Sequence, residues 1–315
     1  MTSPVALFIF RRPDLTRKVF ARIAEYRPEK LFIIADGARR DYPNELKLTE
    51  QSRFETTAID WPCEVVRIYS DTNLGFQKRF FTGLDQVFQA VDSCIILEDD
   101  CLPTSTFFSF CESMIDTYAE AHDVGIISGA NFAPQPSTSS YFFSANSYIW
   151  GWATWSRTWN KFDSVERKQS FTRAEILSLR PTYSTYWERL FSERLIQALP
   201  LHKGWDVPFS VFLRRSGFLN VVPNSNLIDN LGQAGNGTND FLAGWEITPA
   251  AVEMEFPFTH PDNRKRDWEL DKLMWRARGK ALVLFLLSNP LKLARRFFQE
   301  FRTKISILRA SRASH

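Results

Sequence analysis

The sequence predicts an α/β fold with a mostly parallel central sheet flanked by helices. Over the first 128 residues, five short apolar runs alternate with segments of helical periodicity. Such alternation indicates parallel strands joined by right-handed crossover helices. Three of the five runs end directly in charged residues, and open α/β sheets bind their ligands at the carboxyl ends of strands. We therefore expect a ligand site along that edge of the sheet.

The first half of the chain supplies the regular elements. Short apolar runs predict strands at residues 5–10, 31–35, 64–69, 94–97 and 124–128. Apolar residues at helical spacing predict helices at residues 46–59, 76–91 and 107–118. A further helix is expected after Asp14, whose side chain would cap it.

The second half is less regular, because the alternation stops after Ser128. We expect loops at residues 131–140 and 224–239, a helical region at 171–199 broken at Pro181, and strands at 218–223 and 253–257.

The composition fits a globular protein with an ample core. Apolar residues make up 44% of the 315 residues and charged residues 24%. A net charge of +3 gives no reason to expect a nucleic-acid partner. The four cysteines have no CxxC spacing and are typical of reduced thiols in a cytoplasmic protein. Sheet-like sequence begins at Pro4, so we expect no signal peptide, and no apolar run approaches the roughly 20 residues of a membrane span.

The acidic triplet Glu98, Asp99 and Asp100 follows the fourth apolar run without a gap. Three adjacent carboxylates repel one another and cannot lie unpaired in a core, so we expect them at the carboxyl end of that strand. Carboxylate oxygens suit a hard divalent cation, and a cation on a diphosphate would relieve the repulsion. The alternative is a solvated acidic loop without a function.

Two other predicted strands also end in charge. Arg11 and Arg12 follow the first, and Asp36 follows the second. Each has a plain alternative, a surface arginine or a turn residue. The chain contains neither a GxGxxG after the first strand nor a GxxxxGK[ST] motif, which disfavours a dinucleotide-binding fold and a P-loop.

Tryptophan is concentrated in residues 148–159, which contain four of the ten. Indole rings could stack on a sugar as a binding wall, or they could simply fill an aromatic core. Further on, Asp206 lies beside Trp205 and before an apolar helix. An aspartate at that position is often an N-cap, a role that is compatible with catalysis.

The carboxyl-terminal segment is strongly basic. From Lys272 onward the chain has eleven Lys and Arg residues and one acid, Glu300, with apolar residues between them and a break at Pro290. A basic amphipathic helix favours contact with the anionic inner leaflet of a membrane. The alternative is that residues 282–287 pack on the domain and the remainder is a solvated tail.

Four motifs in this order resemble the nucleotide-diphospho-sugar transferases of GT-A fold. They are NLGFQKRF at residues 73–80, ILEDDCLP at 96–103, WGWATWSRTWNKFD at 150–163, and WDVPF at 205–209 followed by PNSNLIDNLG at 223–232. The chain is similar to the bacterial hemolytic protein HlpA-like family and, more distantly, to N-acetylglucosaminyltransferase I. The resemblance implies a GT-A (Rossmann-like) domain at residues 1–270, divided into a nucleotide-binding half at 1–130 and an acceptor-binding half at 131–270. A basic helical tail would follow at 271–315.

The resemblance also implies roles for matching residues. Asp100 would bind Mn²⁺ or Mg²⁺ carrying the donor diphosphate, Asp206 would be the general base, and Glu98 would lie near the acceptor. The remaining assignments to the nucleotide sugar are Arg11, Arg12, Asp36, Asn73, Gly75, Arg79 and Asp99. Those to an acceptor or sugar wall are Trp150, Gly151, Trp152 and Trp205. Relatives commonly carry a histidine after the Asn-Leu-Gly turn, where this chain reads QAGNGTND, so the resemblance leaves a metal or phosphate contact from that loop open.

The expected reaction is metal-dependent transfer of a sugar from a nucleotide-diphospho-sugar to a hydroxyl of a glycan or lipid-linked glycan in bacterial surface polysaccharide synthesis. One base and no carboxylate nucleophile imply inversion at the anomeric carbon. Two alternatives stay open: a sugar nucleotidyltransferase, which would want a glycine-rich basic loop after the first strand, and a non-catalytic carbohydrate-binding or scaffold protein. We expect a cytoplasmic location, peripheral on the inner face of the membrane.

Overall fold

The computed structural model describes residues 2–133, 138–168, 170–202, 204–234 and 249–288. Within them, the strands are β1 (Val5–Ile9), β2 (Lys30–Ala35), β3 (Glu64–Tyr69), β4 (Ser93–Glu98), β5 (Cys101–Pro103), β6 (Val124–Ser128), β7 (Tyr141–Ser144), β8 (Trp152–Trp155), β9 (Leu219–Pro223) and β10 (Ile228–Asn230). The helices are α1 (Pro13–Tyr26), α2 (Glu45–Phe54), α3 (Phe76–Ala90), α4 (Ser105–Thr117), α5 (Ser156–Trp159), α6 (Arg173–Ser178), α7 (Tyr186–His202), α8 (Asp206–Arg215) and α9 (Trp268–Ser288). Short 3₁₀ helices occupy Arg180–Thr182 and Leu231–Ala234.

An eight-stranded sheet in the order β3-β2-β1-β4-β8-β6-β9-β7 forms the centre of the molecule. β1 pairs in parallel with both β2 and β4, and β2 pairs in parallel with β3. The predicted α/β class and the five predicted strands of the first half are therefore confirmed. The chain runs outward from β1 through β2 to β3 and then returns to place β4 on the other side of β1.

The second half adds strands that the sequence patterns did not predict. β8 lies between β4 and β6 and is antiparallel to both, and β7 is antiparallel to β9 at the edge of the sheet. Both strands are buried on both faces, so neither shows the two-residue alternation that marks a half-exposed strand. β5 and β10 form a separate antiparallel pair.

Two predictions of local structure are wrong. Residues 253–257 form no strand; the Glu253 side chain instead accepts hydrogen bonds from the backbone N–H groups of Ser105 and Thr106 at the start of α4, at 3.0 and 2.8 Å. Asp14 does not cap α1, because Pro13 already begins that helix and Arg12 occupies the N-cap position. The predicted break of the 171–199 helical region at Pro181 is confirmed, because α6 and α7 are separated there by a 3₁₀ turn.

Helices cover both faces of the sheet. Val19 and Phe20 of α1 and several aromatic residues of α4 pack on one face, and Phe80 of α3 and Phe209 of α8 pack on the other. The second face is unusually aromatic. Its largest fully buried side chains include Trp152, Trp159, Trp205, Phe162 and Phe209. The burial of these rings supplies a large apolar area that fixes α8 against the sheet.

The start of the predicted basic tail belongs to the folded domain. In α9, Asp271, Met274 and Trp275 are buried. The Asp271 carboxylate accepts hydrogen bonds from Arg266 Nε at 2.6 Å and Asn146 Nδ2 at 3.1 Å. The predicted break at Pro290 and the rest of the tail lie outside the described residues. No helix in the described ranges combines the length and the apolar character needed to cross a bilayer.

Candidate functional site

The candidate site lies where β1 and β4 end side by side. Because β2 and β4 lie on opposite sides of β1, the strand order reverses between β1 and β4, which is where open α/β sheets form a ligand crevice. The loop from β1 to α1 is only three residues long, and it brings Arg12 to this crevice. The acidic triplet emerges from β4 at the same level, since Phe8 is in register with Glu98.

Arg12 joins two members of the triplet. Its guanidinium forms an ion pair with Asp100, Nη1 to Oδ2 at 2.8 Å, and a shorter one with Asp99. The backbone N–H of Phe10 also donates to Asp99 at 3.3 Å. Burial raises the pKa of Asp99 to about 6, although Arg12 acts in the opposite direction. The two strand ends are thus held together by charge as well as by the sheet.

Glu98 completes an excess of negative charge. Burial raises its pKa well above the ordinary range, and repulsion from Asp100 raises it further, while Arg12 opposes both effects. The carboxylate of Asp206 also acts on Glu98 by repulsion, which shows that the start of α8 lies near the end of β4. Arg12 contacts only Asp99 and Asp100, so the acids outnumber the one guanidinium, and the site favours uptake of a proton or of an additional cation.

Asp206 is held at the start of α8, but it is not the N-cap we expected. The helix begins at Asp206 itself, and Trp205 occupies the N-cap position without a side-chain hydrogen bond. The Asp206 carboxylate folds back over Gly204, where a β-carbon would lie 2.5 Å from Oδ1. Gln77 Nε2 donates to the Gly204 carbonyl at 3.2 Å and ties this turn to α3.

Gly232 forms a close backbone contact with the acidic triplet. A β-carbon on this residue would lie 2.2 Å from Asp100 Oδ2 and 3.2 Å from Arg12 Nη1. The neighbouring Leu231 N–H donates to the Asp100 carbonyl at 2.8 Å. Sequence reasoning did not assign Gly232 to the site, although the glycine stands in the quoted PNSNLIDNLG motif. The segment that lacks the histidine continues into residues 235–248, outside the described residues.

Asp36 is placed in a structural position. Its carboxylate accepts hydrogen bonds from the N–H groups of Gly37, Leu74 and Gly75, at 2.9–3.2 Å, and from Asn73 Nδ2 at 3.1 Å. It therefore connects the end of β2 to the turn before α3. These four donors occupy both carboxylate oxygens, so the turn-residue alternative describes Asp36 better than a free nucleotide contact.

Arg79 is a buried cation at the start of α3. The residue is 7% exposed, and its Nε and Nη2 atoms are buried without an acceptor among the described residues. Burial lowers its pKa, while the charge of Asp36 opposes that shift. A buried guanidinium without a partner is costly, and an anionic ligand at the start of α3 would satisfy it. Gly75, with φ of 81°, forms the turn that precedes it.

Arg11 and Arg12, the two arginines that follow β1, have different partners. Arg11 forms an ion pair with Glu45 at the start of α2, at 3.2 Å, and is directed away from the triplet. Glu45 is buried and also binds Arg39. Of the two predicted cations, Arg12 is therefore the one that contacts the acidic residues.

The predicted sugar wall is largely wrong. Trp152 and Trp205 are each 1% exposed and stack on one another at 5.9 Å, so neither ring presents a face to a ligand. Gly151, with φ of 58°, fits closely against Ile228, because a β-carbon at this position would lie 2.4 Å from Ile228 Cδ1. Only Trp150 is partly exposed, packed beside Phe132 at 5.0 Å. Trp152 and Trp205 therefore fill the aromatic core, since β8, which carries Trp152, runs through the middle of the sheet.

The residues present fit a divalent cation only with help from a ligand. Asp100 offers hard carboxylate oxygens at the mouth of the crevice, in a cluster with excess negative charge. Across the described ranges, no group of three or more His, Cys, Asp or Glu side chains is arranged to hold a metal ion. A cation at Asp100 would therefore need oxygens from a diphosphate and from water, which is how Mg²⁺ is commonly held.

Comparisons with known proteins give little further guidance. No protein-family model matches the chain, and no curated protein matches it. Among solved structures, a chain of UDP-glucose pyrophosphorylase complexed with UDP-glucose is similar with a TM-score of 0.26 and 13% sequence identity. The match covers 47% of this chain and 64% of that one, less than two thirds of its length. A likeness at this level does not establish a shared function.

Proposed function

We propose that the protein is an inverting glycosyltransferase that uses a nucleotide-diphospho-sugar. The observation that carries the proposal is the cluster at the ends of β1 and β4, where Arg12 bridges Asp99 and Asp100 while Glu98 and Asp206 lie nearby. A diphosphate leaving group needs positive charge, and a hydroxyl acceptor needs a base. The cluster contains both kinds of group within one crevice.

The donor diphosphate would bind over the acidic triplet. Asp100 would hold a Mn²⁺ or Mg²⁺ ion, which when bound neutralises charge on the leaving diphosphate. Arg12 can exchange one carboxylate contact for a phosphate oxygen, because guanidinium binds both in the same planar geometry. The buried Arg79 offers a second cationic contact for the nucleotide portion of the donor.

The acceptor would approach from the side of α8. Asp206 would accept the proton of the acceptor hydroxyl as the new glycosidic bond forms and the bond to the diphosphate breaks. Glu98 would orient the acceptor by a hydrogen bond. With one base and no carboxylate assigned as nucleophile, the sugar is transferred in a single displacement, and the anomeric configuration inverts. The acceptor hydroxyl is proposed to belong to a glycan or a lipid-linked glycan.

Calorimetry with a panel of nucleotide sugars tests the proposal. Binding of an intact nucleotide-diphospho-sugar that requires Mn²⁺ and is lost with EDTA would support it. Product analysis by mass spectrometry with glycan acceptors would then identify the sugar transferred. If no nucleotide sugar binds with or without Mn²⁺, the chain is better described as a carbohydrate-binding or scaffold protein.

A sugar nucleotidyltransferase is the competing enzyme. Such an enzyme would need a glycine-rich basic loop after the first strand, whereas here only Phe10, Arg11 and Arg12 separate β1 from α1. The two activities differ in their products. Release of pyrophosphate from a nucleoside triphosphate and a sugar phosphate would support the nucleotidyltransferase and contradict our proposal.

A further inference from the structure

The exposed sides of α7 and α9 carry apolar and basic side chains, and we call this surface the α7–α9 face. Tyr186 and Trp187 at the start of α7 are 60% and 45% exposed, with ring centroids 5.9 Å apart. Trp187 lies against α9, since a β-carbon on Gly279 would be 3.3 Å from its Cγ. The aromatic pair therefore continues directly onto the outer side of α9.

The outer side of α9 carries both apolar and basic side chains. Leu273, Arg276, Lys280 and Leu284 recur at helical spacing and are all exposed, and Val283 beside them is 40% exposed. The opposite stripe, with Asp271, Met274 and Trp275, is buried in the domain. α9 thus has one face committed to the core and one face without a packing partner among the described residues.

The charge of this face is positive because the acids of both helices are already neutralised. On α7, Glu188 pairs with Arg214 and Glu193 with Arg180. On α9, Asp271 pairs with Arg266 and Glu269 with Lys272. By contrast, the exposed Arg194, Arg276 and Lys280 form no ion pair within the described ranges.

Exposed Trp and Tyr rings beside Lys and Arg suit one partner in particular. Their amphipathic rings favour the headgroup region of a bilayer, and basic side chains favour its anionic lipids. The chain continues beyond α9 into residues 289–315, whose sequence holds seven further Lys or Arg residues and one Glu. The sequence that follows α9 therefore adds positive charge to this end of the chain and little negative charge to compensate it.

We infer that the α7–α9 face docks the folded domain on an anionic lipid surface, with Tyr186 and Trp187 inserted at headgroup level and Arg276 and Lys280 against lipid phosphates. Docking through this face would fix the orientation of the folded domain on the lipid surface, whereas binding through a basic tail alone would not. It concerns a surface that shares no residue with the proposed catalytic site, so the two proposals can fail separately.

Co-sedimentation of the full-length chain with lipid vesicles tests the inference. Vesicles of phosphatidylcholine containing about one-third phosphatidylglycerol should bind the protein at low salt and release part of it at high salt, because each basic residue near the surface contributes about fivefold in affinity. Vesicles of phosphatidylcholine alone should bind it much more weakly. Absence of binding to the anionic vesicles at low salt would overturn the inference.

Two double variants separate the face from the tail. Arg276→Glu with Lys280→Glu should lower the partition coefficient by at least about twentyfold, and Tyr186→Ala with Trp187→Ala by about tenfold. The control for the charge variant is Lys18→Glu with Lys47→Glu, which makes the same change in net charge on α1 and α2. The control for the aromatic variant is Phe54→Ala, at another exposed ring. The controls should bind within about twofold of the parent on the same scale.

Fluorescence quenching by lipids tests whether Trp187 itself enters the bilayer or only stabilises the face. Lipids brominated on their acyl chains should quench part of the tryptophan emission, and Trp187→Phe should remove most of the quenchable part. If the face variants bind like the parent and only deletion of residues 289–315 abolishes binding, the tail acts alone and the inference is wrong. If instead the parent is a dimer that the face variants dissociate, the face is a contact between two copies of this chain and the inference is also wrong.

Discussion

The strands on either side of β1, which are β2 and β4, both end in acidic residues, and the surroundings of those residues differ. At the end of β2, the Asp36 carboxylate receives hydrogen bonds from three backbone N–H groups and the Asn73 side chain. At the end of β4, two of three consecutive acidic residues share one guanidinium, and the pKa values of Glu98 and Asp99 are raised by burial. Both ends look alike in the sequence, as an apolar run followed by acid.

The difference between the two ends separates a structural acid from a candidate functional one. A carboxylate whose oxygens are all occupied by local donors stabilises the turn it belongs to. Where carboxylates outnumber the cations that pair with them, binding of another cation stabilises the site. We therefore expect substitutions at the end of β2 to affect stability and those at the end of β4 to affect binding and turnover.

The largest effect is expected for Asp206, the fourth carboxylate beside the β4 cluster. Asp206→Asn should lower the rate of sugar transfer by about 10²–10⁴-fold, because the acceptor hydroxyl loses its base, while donor binding is retained. Initial rates and calorimetry on the same preparation measure the two quantities. Asp41→Asn, at an exposed position, serves as the control. A near-parental rate for Asp206→Asn would remove this residue as the base.

The next largest effect is expected at the end of β2. Asp36→Ala should lower the free energy of unfolding by about 3 kcal/mol, because it leaves the backbone N–H groups of residues 37, 74 and 75 without their charged acceptor. Urea denaturation measures this, with Asp41→Ala as the matched control. An unfolding free energy equal to that of the parent would mean that Asp36 is not structural, and would return it to the nucleotide site.

Asp100→Asn should show the opposite pattern. We expect Mn²⁺-dependent donor affinity to fall by about 10²-fold, since a cation at the diphosphate loses its protein carboxylate. The free energy of unfolding should change by less than about 1 kcal/mol, because loss of the pair with Arg12 is offset by less repulsion within the triplet. Equal loss of stability at Asp100 and Asp36 would contradict the distinction between the two strand ends.

The smallest expected effect is that of Gly232→Ala. The added methyl group would meet Asp100 Oδ2 at 2.2 Å in the present arrangement, so the loop or the carboxylate must move. We expect donor affinity to fall by about fivefold with little loss of stability, because the strain falls on an edge of the site. Gly217→Ala, outside the site at a φ of 71° with open space around it, should lower stability through backbone strain and leave donor affinity unchanged.

The strands of the first half of the chain were easier to predict from the sequence than those of the second half. The strands from β1 to β4 and β6 were predicted because each is a short apolar run separated from the next by a helix. β7 and β8 were missed because they are antiparallel insertions, buried on both faces, and β8 lies in a segment whose tryptophans resembled a binding wall. For Trp152 of β8 and Trp205 before α8, burial showed that the rings belong to the core and not to a sugar-binding wall.

The sequence by itself determined that charged residues would gather at one edge of a mainly parallel sheet. Local patterns are enough for this, since the period of the apolar residues marks the strands and the charges mark their ends. Only the tertiary structure decided which charges meet. It directed Arg12 to the triplet and Arg11 to Glu45, it satisfied Asp36 with backbone donors, and it brought Gly232 against Asp100 from 132 positions further along the chain. Contacts between residues so distant in sequence depend on strand order and helix packing, which no local pattern encodes.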